Sequence, residues 1–198
     1  GHHRRLPCYC CFDRRGAVDC LCAGFSVRFS RQWAMPNRDT FFIPPIREFV
    51  TRNIFGLSAD PFARNSKLAT YTNDLNPTTT ATHHMDAVDF LEMLASKGEK
   101  LDSIILDPPY SPRQISECYA ESGIKATMKD TQNAALYKRV RDAARALCKQ
   151  GTIVLSFGWN SCGMGKGFEI EEIMLCAHGG AHNDTICMAE VCKTERLL

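Results

Sequence analysis

Residues 101–110 read LDSIILDPPY, and this stretch decides the fold. Its first six residues form an apolar run of strand length that stops abruptly at Asp107. Two prolines follow, which lack backbone N–H donors and cannot continue a central strand. A strand this apolar is typical of a parallel sheet with both faces covered by helices.

Helix-like and strand-like segments alternate on both sides of this run. Three segments have the apolar spacing of amphipathic helices: 44–55, 85–94 and 132–149. Five further segments have strand composition, the last two as a hairpin: 56–60, 68–72, 152–157, 170–177 and 185–192. This order predicts an α/β fold whose sheet is mostly parallel with one antiparallel member.

Composition limits the class of protein. The chain has 198 residues, a net charge of +2 and 44% hydrophobic residues. These values exclude a wholly disordered or collagen-like chain, and no apolar run is long enough to span a membrane. The charge is uneven, because residues 1–52 carry nine arginines and four acidic residues. We assign residues 1–30, which show no hydrophobic period, to an N-terminal extension rich in Cys and Arg, with disorder left open, and residues 31–198 to one folded domain.

Eleven cysteines are many for this length, and five of them fall within residues 8–22. Cys148, Cys176 and Cys187 lie in apolar segments, where a thiol acts as a small hydrophobic side chain. No stretch reads convincingly as a secretory signal, so we predict a reducing, cytoplasmic location. The C-x-C spacings of the N-terminal group differ from those of usual zinc sites, and we expect no obligatory metal.

The turn that follows the apolar run can hold an amino group of a nucleobase. In open α/β sheets, ligands bind beyond the carboxyl ends of the strands, which is where Asp107-Pro108-Pro109-Tyr110 falls. An exocyclic nitrogen is a poor nucleophile because its lone pair is delocalised into the ring. The Asp107 side chain and the Pro108 carbonyl can accept its two N–H bonds, and Tyr110 can stack on the base. A base within a duplex must first be flipped out or unpaired.

With these motifs in this order, the sequence resembles the amino-methyltransferases that use S-adenosylmethionine, in particular phage-type DNA adenine methyltransferases. The resemblance runs from about Arg31 to Cys192 and rests on the motifs IPPIREFV, ADPFARNS, TNDLNP, HMDAVDFL and DPPY. It implies a Rossmann-like methyltransferase fold with a seven-stranded sheet, and it makes residues 31–198 the catalytic domain. It also implies S-adenosylmethionine as cofactor, DNA as partner, and methyl transfer to the exocyclic amino group of adenine in a bacterial or phage-infected cell.

The resemblance further assigns the residues that hold the cofactor. The IPPIREFV helix would contact its methionine end and ADPFARNS would form the first cofactor loop. Asp74 would bind the ribose hydroxyls and Asp86 would lie near the adenine, with Asp89 as the other candidate. The assigned set is Pro44, Ile46, Asp60, Pro61, Phe62, Ala63, Asn65, Asp74, Leu75, Asp86 and Ala87.

The cofactor loop departs from the pattern of the family. Relatives commonly have glycine where this chain has Arg64 and Ser66, and glycine permits a positive φ and close backbone approach. Asn65 tolerates left-handed conformations, so it is the residue expected to preserve the turn.

Fewer residues are candidates for contacting DNA than for holding the cofactor. Residues 111–198 leave no room for a separate recognition domain, so the polar segment 111–131 is the substitute. Its Arg113, Lys125 and Lys129 would contact phosphates, which position a substrate without reading sequence. RNA bases or a protein glutamine stay open as substrates, as does an inactive nucleic-acid-binding protein. The sequence leaves the oligomeric state open.

Several other motifs have a structural interpretation. We interpret the HGGAHND segment, with His178 and His182, as a hairpin turn rather than a metal site. Residues 163–167 (GMGKG) lack the spacing of a phosphate-binding loop and are expected to be flexible. Trp33 and Trp159 are interpreted as pocket walls or plain core.

Overall fold

The computed structural model describes residues 27–109, 120, 133–159, 161–180 and 182–194. The strands are β1 (Arg28–Trp33), β2 (Ser58–Asp60), β3 (Tyr71–Thr72), β4 (Leu101–Leu106), β5 (Cys148–Gly158), β6 (Phe168–Ala177) and β7 (Thr185–Cys192). The helices are α1 (Pro44–Asn53), α2 (Ala87–Ser96) and α3 (Asn133–Leu147), and a 3-10 turn covers Thr40–Phe42.

The seven strands form one sheet in the order β1-β6-β7-β5-β4-β2-β3. All strand pairs of this sheet are parallel except those made by β7, which runs antiparallel to both β5 and β6. This confirms the predicted α/β architecture, with its mostly parallel sheet and antiparallel C-terminal hairpin. Because β2, β3, β4 and β5 are parallel, their carboxyl ends meet at one edge of the sheet.

Helices cover both faces of the sheet. Ile105 on β4 packs into a core with Phe49 of α1, whereas its neighbour Ile104 packs on the other face with Leu91 of α2 and Leu147 of α3. Adjacent strand residues point to opposite faces, so a continuous apolar run is what a strand covered on both sides requires. The apolar run that decided the fold is therefore explained by burial on two sides.

Particular residues explain where α1 and α2 begin and where α2 ends. Pro44 and Pro45 begin α1, where the missing N–H groups cost nothing. The side chain of Asp86 caps α2 by accepting the Val88 N–H at 2.8 Å. Gly98 lies two residues after the end of this helix and has a φ of 77°, a conformation that glycine adopts readily.

Strand β1 is the element that the sequence did not predict. It begins at Arg28, so its first three residues fall within the segment that we assigned to the N-terminal extension. It forms an edge of the sheet and most of its side chains are exposed on both faces. Hydrophobic alternation is therefore absent from its sequence, RFSRQW, and only its pairing with β6 defines it.

An ionic cluster attaches β1 and α1 to β6. The buried Glu172 of β6 accepts hydrogen bonds from Arg28 at 3.1 Å, from Asn53 at 3.2 Å, and from Arg52. Burial opposes ionisation of Glu172, but these donors outweigh burial and lower its pKa below the usual range. The carboxylate thus joins three elements that are distant in sequence.

Two boundaries differ from the predictions. The strand expected at 68–72 is regular only at Tyr71–Thr72. The backbone N–H of Thr70 donates to Ser58 Oγ at 3.0 Å and not to the backbone of a neighbouring strand. The long helix, predicted over 132–149, ends at Leu147, since Cys148 already pairs with Leu101 as the start of β5.

Candidate functional site

A cleft lies at the sheet edge where the parallel strands end. Its volume is about 260 Å³. It is lined by Asp39, Thr40, Phe41, Phe42, Arg47, Phe62, Ala63, Arg64, Asn65, Ser66, Lys67, Leu68 and Asp107. Residues that follow β2 and β4 thus meet residues from the segment before α1, in the position where α/β sheets bind ligands.

Asp60, the last residue of β2, is a buried carboxyl group with one unsatisfied oxygen. Its Oδ1 accepts the Phe62 N–H at 3.0 Å, whereas Oδ2 has no hydrogen-bond partner among the described residues. Burial raises the pKa of Asp60 well above its usual range, the Phe62 N–H opposes this, and the nearby charges of Asp107 and Asp74 raise it further. Three carboxyl groups therefore converge here, and a cation or an N–H donor would relieve the unpaired oxygen.

Asn73 joins the loop after β2 to the start of α2. This fully buried side chain donates to the Pro61 carbonyl at 3.1 Å and to the Met85 carbonyl at 3.0 Å, and its Oδ1 accepts the Met85 N–H at 3.1 Å. Its backbone N–H also donates to the carbonyl of Asp60 at 2.9 Å. Asn73 was not predicted as a site residue, although a polar amide directly after a strand is a feature that the sequence shows.

The loop that follows Asp60 contains an arginine in a left-handed conformation. Arg64 has a φ of 48°, and among the described residues other than glycine it alone has a positive φ. Its N–H donates to Asp74 Oδ2 at 3.1 Å, and its Nε donates to Asp39 Oδ1 at 2.8 Å. A positive φ, which glycine adopts most readily, is thus present in this loop, but Arg64 adopts it and Asn65 does not.

Asp74 and Asp86 already have structural contacts. Asp74 accepts the N–H of Arg64 and, through Oδ1, the N–H of Asn76 at 2.9 Å. Asp86 is the N-cap of α2, beside the buried Ala87. A carboxylate has about four acceptor positions, so these bonds are compatible with a ligand and also fix both side chains in place.

The DPPY turn separates two cavities. Asp107 lines the large cleft, whereas Pro108 lines a smaller cavity of about 30 Å³ that also includes Tyr137, Phe157 and Cys162. Burial raises the pKa of Tyr137, and the charge of Asp107 raises it further. An aromatic ring therefore lies near the Asp107 carboxylate on the α3 side. Tyr137 was not predicted as a site residue, because its helix has the apolar spacing of an amphipathic helix that packs on the core.

The predicted site residues have different placements. Those that line the cleft are Phe62, Ala63, Asn65 and Asp107. Asp60 and Pro61 are buried just behind its wall, and Leu75 is partly exposed beside Asp74. Pro44 lies in a separate groove with Trp33, and Ile46 is entirely buried in the α1 core, so neither side chain lines the cleft. Tyr110, Arg113, Lys125 and Lys129 lie outside the described residues.

Three cations line the cleft that the sequence analysis did not assign: Arg47, Arg64 and Lys67. Arg47 lies in α1, Arg64 in the ADPFARNS loop and Lys67 directly after that loop. Isolated basic residues carry no sequence signal, and only the fold brings these three together.

The GMGKG segment is held by hydrogen bonds, although we expected it to be flexible. The Met164 N–H donates to the buried Glu190 at 2.9 Å, and Arg141 donates to the Gly163 carbonyl at 2.8 Å. Arg145 donates to the carbonyl of Met164 as well. This segment is therefore fixed against α3 and β7 beside the smaller cavity.

His178 is a structural residue of the hairpin. The buried ring contacts the Ala34 carbonyl through Nδ1 and the Thr185 hydroxyl through Nε2, both at 2.9 Å. These contacts join β1 to the β6–β7 hairpin, which agrees with the structural interpretation of HGGAHND. Cys148, Cys176 and Cys187 are buried as expected, and burial raises the pKa of the Cys148 thiol to about 12.

The described ranges contain neither a metal-binding cluster nor a membrane-spanning helix. There, no group of three or more His, Cys, Asp or Glu side chains is arranged to hold a metal ion. Within the same ranges, no helix combines the length and the apolar character that crossing a membrane requires. The cysteines of residues 8–22 lie outside the described part of the chain.

Similar proteins are found by structure and not by sequence. No protein-family model and no curated protein matches this chain. SMU.776, a protein assigned as a methyltransferase and solved with SAH, is similar with a TM-score of 0.54 and 11% identity, over 74% of this chain and 48% of that one. TrmN from Thermus thermophilus has a TM-score of 0.48 and 14% identity, over 76% and 49%. NSun6 from Pyrococcus horikoshii, solved with SFG, has a TM-score of 0.46 and 14% identity, over 70% and 48%.

The likeness to SMU.776 establishes the fold alone, since the identity is only 11%. The chain has the Rossmann-like fold of the methyltransferases, as the sequence predicted. It spans about half the length of these matched proteins, 48% in the case of SMU.776.

Proposed function

We propose that this chain is an S-adenosylmethionine-dependent methyltransferase that acts on the exocyclic amino group of adenine in DNA. The observation that carries the proposal is that Asp107 lines the cleft while the carboxyl groups of Asp60 and Asp74 lie near it behind the cleft wall, and that one buried oxygen of Asp60 has no partner among the described residues. A cationic ligand fits this set. S-adenosylmethionine has an ammonium group and a sulfonium centre, and when bound it supplies the electrophilic methyl group.

The cofactor would be held by the loop after β2 and by its neighbours. Phe62 and Ala63 line the cleft, and Asn73 fixes the backbone behind them. Asp60 offers its unpaired oxygen to a cation or a donor. Asp74, beside the same loop, is the candidate for the ribose hydroxyls. Arg47, Arg64 and Lys67 give the cleft wall the positive charge that a carboxylate needs.

The acceptor amino group would sit at the DPPY turn. The Asp107 carboxylate and the Pro108 carbonyl accept its two N–H bonds, which directs the nitrogen lone pair at the methyl group. In the proposed transfer, the new N–C bond would form as the S–C bond breaks, and the sulfur would keep the bonding electron pair. The nitrogen becomes acidic on methylation, so Asp107 need only accept a proton that is already leaving. In the family that the sequence resembles, the aspartate form of this motif usually goes with adenine and a serine form with cytosine, which supports the choice of adenine as substrate.

The test is methyl transfer from S-adenosylmethionine labelled in its methyl group. Unmethylated DNA, RNA of the same sequence and casein are incubated separately with the full chain, and the products are digested and separated. We expect label in N6-methyldeoxyadenosine, and loss of at least about 100-fold in rate for Asp107→Ala, because it removes a positioned hydrogen-bond acceptor. Glu92→Ala, which removes an exposed carboxylate on α2, is the matched control and should keep full activity.

Other outcomes would refute the proposal. Label in methylcytosine, in RNA alone or in protein alone would show a different substrate. Failure of the full chain to bind S-adenosylmethionine in calorimetry would favour an inactive nucleic-acid-binding protein instead.

A further inference from the structure

Both tryptophans of this chain are exposed at the same edge of the sheet. Trp33 is the last residue of β1 and is 61% exposed, and Trp159 directly follows β5 and is 43% exposed. Tryptophan is highly buried on average in folded proteins, because its large apolar surface is costly to leave in water. Two exposed indoles at one edge therefore point to a ligand rather than to a core.

The sheet order arranges the indoles in line with the DPPY turn. From β1 to β5 the order crosses three strand spacings, which is about 14 Å, and β4 with Asp107 at its end lies one spacing further. The hairpin turn after β6 lies between the two tryptophans at this edge. Trp33 rests against that turn, because a Cβ added at Gly179 would lie 3.3 Å from its Nε1. The Trp33 indole therefore packs against the hairpin turn that lies between the two tryptophans.

The charge of this region favours a polyanion. In the described segment that runs from β1 to α1, the side chains of Arg31, Arg38 and Arg47 are exposed. Of the nearby acidic side chains, Asp39 pairs with Arg64 and Asp184 accepts the His178 N–H at 3.1 Å, whereas the exposed Glu48 lines the groove beside Trp33. Exposed aromatic rings among cations are the usual surface for bases and phosphates together.

We propose that Trp33 and Trp159 form a stacking platform that binds unpaired bases of single-stranded nucleic acid and leads the strand to Asp107. The inference rests on the proposed function, and it specifies the form of the substrate. Bases in a duplex are stacked on each other and do not offer their faces to a side chain, whereas each unpaired base does. The platform therefore selects single strands without reading their sequence.

Intrinsic fluorescence tests the platform directly, because Trp33 and Trp159 are the two tryptophans of the chain. The full-length protein is titrated, without S-adenosylmethionine, with a 12-nucleotide deoxyadenylate strand, the same strand in a duplex, and an abasic strand of equal length. We expect quenching and saturable binding with the first strand, and binding at least about tenfold weaker with the other two.

Variants assign the effect to the indoles. Trp33→Ala should weaken binding of the single strand about 5- to 150-fold, the equivalent of about 1–3 kcal/mol of base stacking. Trp33→Phe should recover most of that loss because a phenyl ring also stacks. Phe55→Ala removes a side chain that is 51% exposed at the opposite edge, before β2, and should leave binding unchanged. Circular dichroism of each variant verifies the fold.

The outcomes separate this inference from the proposed function. Equal binding of the duplex or of the abasic strand, or unchanged binding by a folded Trp33→Ala variant, would overturn the platform even if methyl transfer occurs. Strand binding that needs Trp33, in a chain that transfers no methyl group, would support the platform and refute the enzymatic function.

Discussion

The substitution Asp60→Asn should stabilise the protein without ligand and weaken its binding of S-adenosylmethionine. Asp60 is entirely buried, Oδ1 has the Phe62 N–H as partner, and Oδ2 has none among the described residues. A buried polar group without a partner costs about 1–3 kcal/mol, and more when it is charged. Asparagine keeps the bond to Phe62 and removes the charge, so the free energy of unfolding at pH 7 should rise by about 1–2 kcal/mol.

The pH dependence has a defined sign. Because the pKa of Asp60 is raised in the folded state, its contribution to stability is fully present below the ordinary aspartate pKa of about 4 and is lost as pH rises through the raised value. The Asn variant has no such titration. Urea unfolding at several pH values should therefore show the two proteins converging near pH 4 and diverging towards neutral pH.

The same substitution should weaken ligand binding. A charge-assisted hydrogen bond contributes about 1.5–3 kcal/mol, so calorimetry should show a dissociation constant for S-adenosylmethionine raised about 10- to 150-fold. Glu92→Gln, an exposed substitution on α2, should change stability by less than about 0.5 kcal/mol and leave binding intact. A less stable Asn variant, or one with wild-type affinity, would refute the role assigned to the unpaired oxygen.

Two further predictions concern backbone strain and the ionic cluster. Arg64→Gly and Arg64→Ala both lose the pair with Asp39, but only glycine relaxes the positive φ, so the Gly variant should be more stable by about 1 kcal/mol in urea unfolding; a more stable Ala variant would contradict this. Glu172→Gln should cost about 1–3 kcal/mol at pH 7, because its donors lose a charged acceptor. Since the pKa of Glu172 is lowered, the extra stability of the wild type over Glu172→Gln is present above the ordinary glutamate pKa and disappears as pH falls through the lowered value. A stability difference that persists at pH 2 would point to packing instead.

The sequence predicted the parts of the fold that depend on burial. The run at 101–106 is covered on both faces, so its composition alone identifies a central strand, and the DPPY turn marks its end. Strand β1 is exposed on both faces, so its sequence carries no such pattern. Pairing between 28–33 and 172–177 is a long-range property that no local rule contains.

The candidate site was predicted unevenly for a similar reason. Asp60 and Asp107 could be found because Asp60 ends a strand and Asp107 directly follows one, and strand ends converge in a parallel sheet. Ile46 was assigned through its motif, but helical spacing directs it into the core. Arg64 was noted as a departure from glycine, yet the sequence could not show that the arginine itself adopts the left-handed conformation, which depends on acceptors elsewhere in the chain.

The amide of Asn73 makes two remote segments mechanically dependent on each other. Pro61 and Met85 are both bonded to this one side chain, so neither segment can shift outward unless the amide moves or its bonds break. A small molecule that tightens the first segment must tighten the second, and hydrogen exchange at the Met85 amide would slow in step with it. Occupancy at one end of the cleft would thereby be transmitted to the beginning of α2 through a single planar group.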